Sequence, residues 1–302
     1  MATPQSGGAE PIYAACADLL MGVRADLPAG LADRLVAVGI SSMGPLDPWR
    51  GVVVDPPNVP GLRDAPLADV LEDRVGMPVY LERDTNVAAL AEHWLGAARG
   101  CRDFMYVTVS TGLGGSIYRD GRLLLGPDGT AGEVGHVCLM PSGGPRCGCG
   151  GLGHLEALSS GSGLANAAMA AQAALISPFL AARAKAGPIT GRDVAEGELD
   201  GDAVCAGLMN RARLAFAIAC VGWVNAFNPE RIVVGGTVAD RQGERWLEPA
   251  RAAVSSTGFR APASRVRIVA AELGADVGLV GAWPLVEERH GDPVWRERRA
   301  RI

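Results

Sequence analysis

The residues with the clearest chemical potential lie in one glycine-rich stretch, "GHVCLMPSGGPRCGCGGLGHLE", at residues 135–156. Zinc prefers four thiolate or imidazole ligands, and glycines between the ligands let the backbone fold around the ion. The candidate zinc ligands are His136, Cys147, Cys149 and His154. Cys138 is a spare candidate, although its β-like neighbours favour a packing role. The alternative is a flexible loop of reduced thiols and solvated histidines.

The elements that must position these residues alternate between strands and helices. Apolar spacing predicts helices at 11–23, 67–75, 86–98, 202–227 and 275–288. Short apolar runs predict strands at 35–40, 77–81, 104–109, 231–237 and 266–269, the fourth ending in a glycine turn. The uncharged stretch 157–182 is interpreted as a buried, alanine-rich helix and not as a membrane span. This alternation predicts an α/β architecture with two lobes.

Composition excludes several classes of protein. The 302 residues are 48% hydrophobic and 20% charged, which is typical of a globular chain that can bury a core. A net charge of −5 gives no basic footprint for nucleic acid. The seven cysteines are an odd number, and the first residues lack the basic and apolar regions of a signal peptide, so we expect a cytoplasmic protein that is not bound to a membrane.

Two glycine turns follow strands, where backbone N–H groups can bind an anion. In "VTVSTGLGGSIY" hydroxyls and glycines come directly after a strand, as in a phosphate-binding concavity, although such a pattern also occurs in a plain hairpin. In "NPERIVVGGTVAD" a second glycine turn would let a purine ring approach the backbone. Together they indicate a nucleotide site, yet neither has the spacing of a Walker or dinucleotide motif.

Three acidic residues are candidates for work on a hydroxyl group. Asp84 lies between a predicted strand and a helix, where it could accept a proton from a hydroxyl nucleophile, or where Asp84 or Thr85 could simply cap the helix. Glu133 and Glu156 flank the cysteine-rich stretch. Zinc there would carry both to one cleft wall; otherwise they are solvated surface acids.

These segments, taken in order, resemble the ROK family of repressors, open reading frames and kinases, which includes bacterial glucokinases and N-acetylhexosamine kinases. The resemblance extends from about Thr3 to Glu288, and its segments are "DPPNVPGL", "ERDTNVAALAEHW", "STGLGGSIYRDGRLLLGPDGTAGEVGH", "CGCGGLGHLEALSSGSGL", "GDAVCAGLMNRARLAFAIACVGWVNAFNPERIVVGG" and "ADVGLVGAWPLV". It implies the actin-like sugar kinase fold, with two α/β lobes around a cleft for sugar and ATP. The expected lobes are a truncated small lobe at 1–104, completed by a C-terminal helix at 275–302, and a large lobe at 105–274 that carries the zinc loop.

The resemblance also implies roles for individual residues. Asp84 becomes the general base that activates the primary hydroxyl of the sugar, and Mg²⁺ accompanies ATP. The implied sugar-contacting residues are Glu133, His136 and Glu156, with Asn58 in a loop that borders the sugar. The implied phosphate loop contains Thr111, Gly112 and Gly114, and the implied adenosine loop contains Gly235 and Gly236. His136 would also bind structural zinc, together with Cys147, Cys149 and His154.

Three departures from the family pattern stand out. His154 replaces a cysteine, which still predicts a Cys₂His₂ zinc site. Arg83 replaces an asparagine that contacts sugar, so it either fills part of the sugar pocket, pairs with Asp84, or binds an anionic group of an unusual substrate. No Asp-x-Gly-Gly-Thr turn precedes Pro11, which we interpret as either an upstream start or a naturally shortened relative.

Two hypotheses follow from different classes of function. The first is an ATP-dependent kinase that converts glucose or an N-acetylhexosamine to its 6-phosphate. The second is a sugar-binding or regulatory homologue without catalysis, which the missing turn and Arg83 suggest. In either case we expect a homo-oligomer, such as a dimer, because relatives often form one.

Overall fold

The computed structural model of the chain describes Pro4 and residues 7–56, 59–173 and 177–300. Asn58, the predicted loop residue beside the sugar, lies outside these described residues. The strands are β1 (Val38–Ser42), β2 (Leu46–Asp47), β3 (Val52–Val53), β4 (Val79–Arg83), β5 (Phe104–Val109), β6 (Leu113–Arg119), β7 (Arg122–Leu123), β8 (Arg231–Gly235) and β9 (Arg267–Ala270).

The α-helices lie between and after these strands. They are α1 (Glu10–Ala25), α2 (Leu67–Val75), α3 (Asp84–Leu95), α4 (Leu155–Ser159), α5 (Gly161–Ala173), α6 (Pro178–Ala184), α7 (Gly191–Leu199), α8 (Ala203–Phe227), α9 (Thr237–Gln242), α10 (Glu244–Thr257), α11 (Arg260–Ala263), α12 (Val277–Val280), α13 (Ala282–Arg289) and α14 (Pro293–Ala300). Short 3₁₀ helices occur at Ala32–Arg34, Pro60–Leu62, Val134–His136 and Gly274–Asp276.

The chain forms two compact units. The first unit comprises Met1–Trp94, Leu125–Ala131 and Asp276–Ile302, and the second comprises Leu95–Leu124 and Gly132–Ala275. The first unit's opening segment ends at Trp94, which is earlier in the chain than the predicted boundary at residue 104. The division also assigns the segment 125–131 to the first unit, which the sequence did not indicate. Arg83 donates a hydrogen bond to the carbonyl of Ala131, which ties this segment to the end of β4.

The first unit contains a parallel pair of strands and a small antiparallel pair. β1 pairs with β4 from Val38↔Val79 to Ser42↔Arg83, and β2 pairs with β3. Among its described residues, one cluster of fourteen buried hydrophobic side chains includes Leu46, Leu71 and Leu81. Because β4 ends at Arg83 and α3 begins at the next residue, Asp84 lies at the carboxyl edge of the pair.

The second unit contains a mixed five-stranded sheet in the order β7-β6-β5-β8-β9. β5, β8 and β9 run parallel, while β6 and β7 are antiparallel to their neighbours. The register Thr108↔Gly235 brings the carboxyl ends of β5 and β8 together. Both glycine turns of the sequence therefore begin at one edge of this sheet.

Helix α8 passes through the core of the second unit. Its most apolar stretch has a mean hydropathy of 1.5, long and apolar enough for a membrane span, but half of that stretch is buried inside the protein. The ring of Phe216 on this helix packs against Trp223 of the same helix at 5.9 Å and against Trp246 of α10 at 5.6 Å. This burial is typical of a core helix of a globular protein.

Most predicted elements agree with the structure, and the exceptions have local causes. The strand predicted at 35–40 starts at Val38, since Leu35 and Val36 are exposed and β1 begins where it meets β4. The stretch between β1 and α2, which is rich in proline and glycine, contains β2, β3 and a 3₁₀ turn at Pro60–Leu62. The helix predicted at 157–182 is broken at Ser160, whose extended backbone separates α4 from α5, and residues 174–176 lie outside the described chain.

The predicted C-terminal helix is also interrupted. A 3₁₀ turn, α12 and α13 occupy the range predicted as one helix, and α14 follows. Apolar spacing continued through this range, so the sequence pattern alone did not mark the breaks.

A buried ion pair anchors α13 to β4 next to Asp84. Glu82 is fully buried, and one of its carboxylate oxygens contacts Nη2 of Arg289. The other oxygen accepts hydrogen bonds from the backbone N–H of Arg83 at 2.8 Å and from Nδ2 of Asn86 at 2.9 Å. The guanidinium of Arg289 also stacks over the ring of Trp295 at 3.9 Å. These contacts satisfy a buried carboxylate immediately before the strand ends.

Replacing Arg289 with methionine should lower the free energy of unfolding by about 3–5 kcal/mol, because Glu82 would keep a buried charge without its partner. A matched control is Arg63→Met, which removes an exposed pair with Asp55 at 3.9 Å and should cost less than about 1 kcal/mol. Unfolding in guanidinium chloride, followed by circular dichroism, measures both. Equal losses in the two variants would contradict the structural role of the buried pair.

Candidate functional site

The four predicted zinc ligands converge. One ligand atom from each of His136, Cys147, Cys149 and His154 lies within 4.8 Å of every other. Sγ of Cys147 is 3.7 Å from Nδ1 of His136, and Sγ of Cys149 is 3.2 Å from Nδ1 of His154. A tetrahedral Cys₂His₂ zinc site has ligand atoms about 3.3–3.8 Å apart, so the geometry and the donor types both fit zinc.

Backbone hydrogen bonds fold the stretch so that its two histidines meet. Cys147 N–H donates to Gly151 O at 2.8 Å and Gly150 N–H donates to Cys147 O at 2.9 Å, which closes a tight turn around Cys149. Isolated β-bridges join Cys138 to His154 and Arg146 to Leu152. Consequently the rings of His136 and His154 lie 5.6 Å apart.

Cys138, the spare candidate, does not belong to this cluster. Its Sγ faces the Leu152 carbonyl at 3.3 Å, and the run at 137–140 forms the isolated bridge to His154 and no strand. The side chain of Cys138 is exposed, so these contacts do not support the packing role that the sequence favoured for this cysteine.

A continuous series of contacts joins the cluster to the predicted sugar-contacting residues of the second unit. Nε2 of His136 lies 3.7 Å from Glu133, while its Nδ1 faces Cys147. On the other side, Sγ of Cys147 lies 3.4 Å from Oε1 of Glu156. Burial, with the carboxylate of Glu156 adding to it, raises the pKa of Cys147 to about 11 in the absence of metal. Glu133, His136 and Glu156 are thus held as one group.

This group contacts the backbone N–H and the backbone carbonyl of Leu113, the first residue of β6. The N–H of Leu113 donates to Oε2 of Glu156 at 3.0 Å. The carbonyl of Leu113 lies against Gly135, where an added Cβ would be only 1.8 Å from the carbonyl oxygen. No side chain is compatible with that approach, so glycine is required at residue 135 for Glu133 and His136 to take their positions.

The predicted phosphate loop forms the turn between β5 and β6. Ser110 N–H donates to Gly112 O at 2.9 Å, and the carbonyls of Ser110 and Thr111 accept from the first residues of α5 at 2.8 and 3.0 Å. Thr111 is exposed, while Gly112 and Gly114 are partly buried. An added Cβ on Gly112 would be 2.8 Å from Oε2 of Glu156, so the phosphate loop touches the predicted sugar site directly.

The predicted adenosine loop meets the phosphate loop. Gly236 has a φ of 94°, and a Cβ there would be 2.5 Å from the hydroxyl of Thr108 at the end of β5. The hydroxyl of Thr237 lies 3.0 Å from that of Ser110. Gly235 is buried against Tyr106. The two glycine turns are therefore neighbours, as a single nucleotide site requires.

A cavity of about 810 Å³ opens beside these loops, wholly within the second unit. Of the predicted nucleotide residues, Thr111 lines it directly. Lining residues that the sequence analysis did not identify include Ser110, Ser162, Thr190, Arg192, Asp193, Thr237, Arg241 and Gln242. The sequence did contain a signal for two of these residues. The segment "TGRD" has the spacing of a helix capping box, and Thr190 and Asp193 form that box at the start of α7.

Asp193 is a charged group on this wall. Burial by itself raises its pKa, but hydrogen bonds from Thr190 and the charge of Arg183 outweigh it and bring the pKa below its ordinary value. The cavity therefore carries a carboxylate at neutral pH beside the guanidinium groups of Arg192 and Arg241.

In the first unit, Asp84 is exposed as the first residue of α3, and its Oδ1 accepts the N–H of Thr85 at 2.7 Å. Arg83 is 3% exposed, and its Nη2 donates to the carbonyl of Ala131 and lies 3.5 Å from Oδ1 of Asn86. The guanidinium is thus engaged by the protein itself. These contacts favour a structural role for Arg83 over the binding of an anionic group of a substrate.

Comparisons with known proteins agree with this arrangement. The ROK family profile matches residues 12–289. Over 256 residues the chain is 33% identical to a glucokinase of Halalkalibacterium halodurans, covering 84% of this chain and 77% of the relative. Over 150 residues it is 41% identical to an N-acetylmannosamine kinase of Citrobacter koseri, about half of each chain.

A solved structure extends the likeness to the fold. The crystal structure of a ROK family glucokinase from Streptomyces griseus, in complex with glucose and AMPPNP, superposes with a TM-score of 0.75 and 33% identity, covering 95% of this chain and 90% of that one. The expected actin-like α/β fold is therefore confirmed. On this evidence the chain belongs to the ROK family.

Proposed function

We propose that the protein is an ATP-dependent hexose kinase that transfers the γ-phosphoryl group of ATP to the 6-hydroxyl of glucose or an N-acetylhexosamine. The observation that carries this proposal is the contact between Gly112 of the phosphate loop and Glu156 of the predicted sugar site. A kinase must hold the transferred phosphoryl group beside its acceptor. The glucokinase and N-acetylmannosamine kinase relatives support the same class of substrates.

The acids and the histidine suit a sugar. Carboxylates of Glu133 and Glu156 accept hydrogen bonds from hydroxyl groups, and they are held through His136 and Cys147 before any ligand arrives. Such preorganisation lowers the entropic cost of binding a small polyol. Asn58 is proposed as a further sugar-contacting residue from the family resemblance alone.

Asp84 is proposed as the general base. Phosphoryl transfer depends mainly on positioning and on neutralising charge, so a single aligned carboxylate suffices to take the proton of the attacking hydroxyl. Asp84 is exposed, and the buried Glu82 network fixes the backbone just before it. Arg83 is proposed to narrow the sugar pocket beside Asp84, because its guanidinium is bound to Ala131 of the protein and is not held ready for an anionic substrate.

The nucleotide is assigned to the 810 Å³ cavity and its adjoining loops. Thr111, Gly112 and Gly114 would contact the phosphates through hydroxyl and backbone N–H groups, and Gly235 and Gly236 would lie against the adenosine. Mg²⁺ bound with ATP neutralises the charge of the phosphates.

Zinc is proposed as a structural ion. His136, Cys147, Cys149 and His154 would hold it, and four protein ligands leave no open position for catalysis. The contact of His136 with Glu133 and that of Cys147 with Glu156 indicate what the ion would do: it would fix the two acids that face the sugar.

A homodimer is proposed from the exposed face of α8. Leu214 and Ile218 are 59% and 51% exposed, lie four residues apart, and so share one side of the helix. Exposed glycines at 207 and 222 continue that side, which would let a second copy approach closely. An apolar helix face of this kind can pack on its own symmetry mate.

A cytoplasmic location is proposed from the cysteines. All seven are free, and four of them are buried as thiols. Cysteines in proteins of an oxidising compartment are usually paired.

The kinase assignment predicts that Asp84→Asn lowers kcat by about 10²–10⁴-fold, because the general base is removed. The exposed Asp73→Asn on α2 is the matched control and should retain wild-type kcat. Coupled ADP release with a panel of hexoses and N-acetylhexosamines measures both. If wild type binds a sugar but phosphorylates none of the panel, the non-catalytic alternative is correct instead.

The zinc assignment predicts that Cys147→Ser loses the metal, while Cys138→Ser retains one zinc per chain, because only Cys147 belongs to the cluster. Metal analysis of the purified proteins gives the stoichiometry. Sugar affinity should fall in Cys147→Ser alone. Equal zinc contents in the two variants would refute the assigned ligand set.

The dimer assignment predicts that Leu214→Glu converts the protein to a monomer in multi-angle light scattering, because a buried charge would face the partner. Leu279→Glu changes a leucine of α12 that is more exposed than Leu214, and should leave the dimer intact. A wild-type protein that is monomeric at micromolar concentration would rule out this interface.

A further inference from the structure

The cavity of the second unit contains a polar group whose orientation is fixed from outside the cavity. Gln242, at the end of α9, is 9% exposed and lines the cavity wall. Its Oε1 accepts a hydrogen bond of 2.6 Å from Nη2 of Arg213. A guanidinium can only donate hydrogen bonds, so the atom that faces Arg213 must be the amide oxygen. The amide nitrogen of Gln242 therefore points away from Arg213.

Arg213 is itself held rigidly. Its Nη1 and Nη2 bind the two carboxylate oxygens of Glu198 at 2.8 and 2.7 Å, with both side chains less than a tenth exposed. Nη1 also donates to Oδ1 of Asn210 at 3.1 Å. Bidentate pairs of this kind fix the guanidinium plane. Glu198 lies on α7, Arg213 on α8 and Gln242 on α9. The Arg213–Glu198 pair therefore fixes the orientation of the Gln242 amide from two other helices.

The amide nitrogen of Gln242 has no hydrogen-bond partner within the described part of the chain. It is not among the fully buried side-chain atoms that lack partners, so it remains accessible from the cavity. A donor in a nearly buried position needs an acceptor, because leaving it unpaired costs free energy. The ligand of the cavity is the available source of that acceptor.

The position of Gln242 along α9 indicates which part of a nucleotide would supply the hydrogen-bond acceptor. Thr237, at the start of α9, touches Ser110 of the phosphate loop. Gln242 lies five residues further along, which corresponds to ~7.5 Å of helix rise. A nucleotide with its phosphates at the loop would therefore have its base, and not its phosphates, near Gln242. Purine rings present nitrogen acceptors on their edges.

Resting on the proposed kinase function, we propose that Gln242 Nε2 donates a hydrogen bond to a ring nitrogen of the adenine base. Arg213 and Glu198 are positioning residues that keep the amide nitrogen, and not its oxygen, toward the base. With its oxygen turned toward Arg213, Gln242 presents a donor, and not an acceptor, to the base. The residue thus selects acceptors on the edge of the base.

The test pairs changes in the protein with changes in the nucleotide. KM for ATP and for its 1-deaza, 3-deaza and 7-deaza analogues is measured in wild type and in Gln242→Met, which keeps the length of the side chain without a donor. In wild type one analogue should have a KM about fivefold to tenfold above that of ATP. In Gln242→Met the KM for ATP should rise by a similar factor, kcat should stay within about twofold, and the sensitivity to that analogue should disappear. Gln242→Glu keeps the contact with Arg213 but offers no donor, and should behave like the methionine variant.

The positioning role is tested at Arg213. Arg213→Met frees the amide to rotate, so the sensitivity to the same analogue should fall, while Arg213→Lys, which can still donate to the amide oxygen, should restore most of it. Arg245→Met is the matched control, because Arg245 binds Glu198 at 2.9 Å from the exposed side and does not touch Gln242. The control should keep the wild-type ratio of KM values.

Unchanged sensitivity to all three analogues in Gln242→Met would overturn the proposal while leaving the kinase assignment intact. Calorimetric titration of ADP and its deaza analogues applies the same comparison without turnover, so a chain that phosphorylates no sugar still gives an answer for Gln242. A wild-type protein that binds none of these nucleotides would overturn both proposals.

Discussion

The carboxylate of Glu156 is the contact on which the second unit's site depends. One oxygen accepts the N–H of Leu113, where the phosphate loop turns into β6, and the other faces the thiol of Cys147. The carbonyl of the same leucine lies against Gly135. Both backbone groups of Leu113 are thus occupied by the glycine-rich stretch. A shift of that stretch would therefore move the start of β6 and the loop before it.

This arrangement indicates what the cluster of two cysteines and two histidines contributes to the second unit. The stretch contains many glycines and little apolar material, so packing alone offers weak restraint. Four side chains that could hold a metal ion meet at one point, and a bound ion would replace that packing. The result is a stiff connection from Glu133 through His136 and Cys147 to Glu156.

In the first unit, a buried ion pair fixes the backbone beside a predicted site residue. Asp84 is exposed, but the strand that delivers it ends in a fully buried carboxylate, Glu82, which binds Arg289 and two neighbouring N–H donors. Buried charge of this kind is costly unless every partner is present, so it permits one conformation of the strand end. In both units, a buried or metal-suited network fixes the backbone that carries an exposed acid.

The sequence by itself determined the α/β pattern, the candidate cluster of cysteines and histidines and the glycine turns, because each depends on residues close together in the chain. It did not reveal the pairing of Glu82 with Arg289, 207 residues apart, or of Arg213 with Gln242, 29 residues apart on separate helices. It also did not indicate that the segment 125–131 belongs with the first unit, where Arg83 donates a hydrogen bond to the carbonyl of Ala131. Such contacts depend on which distant surfaces fold together, and only the tertiary structure decides that. Local spacing reveals which residues could do chemistry, and packing decides which way their atoms point.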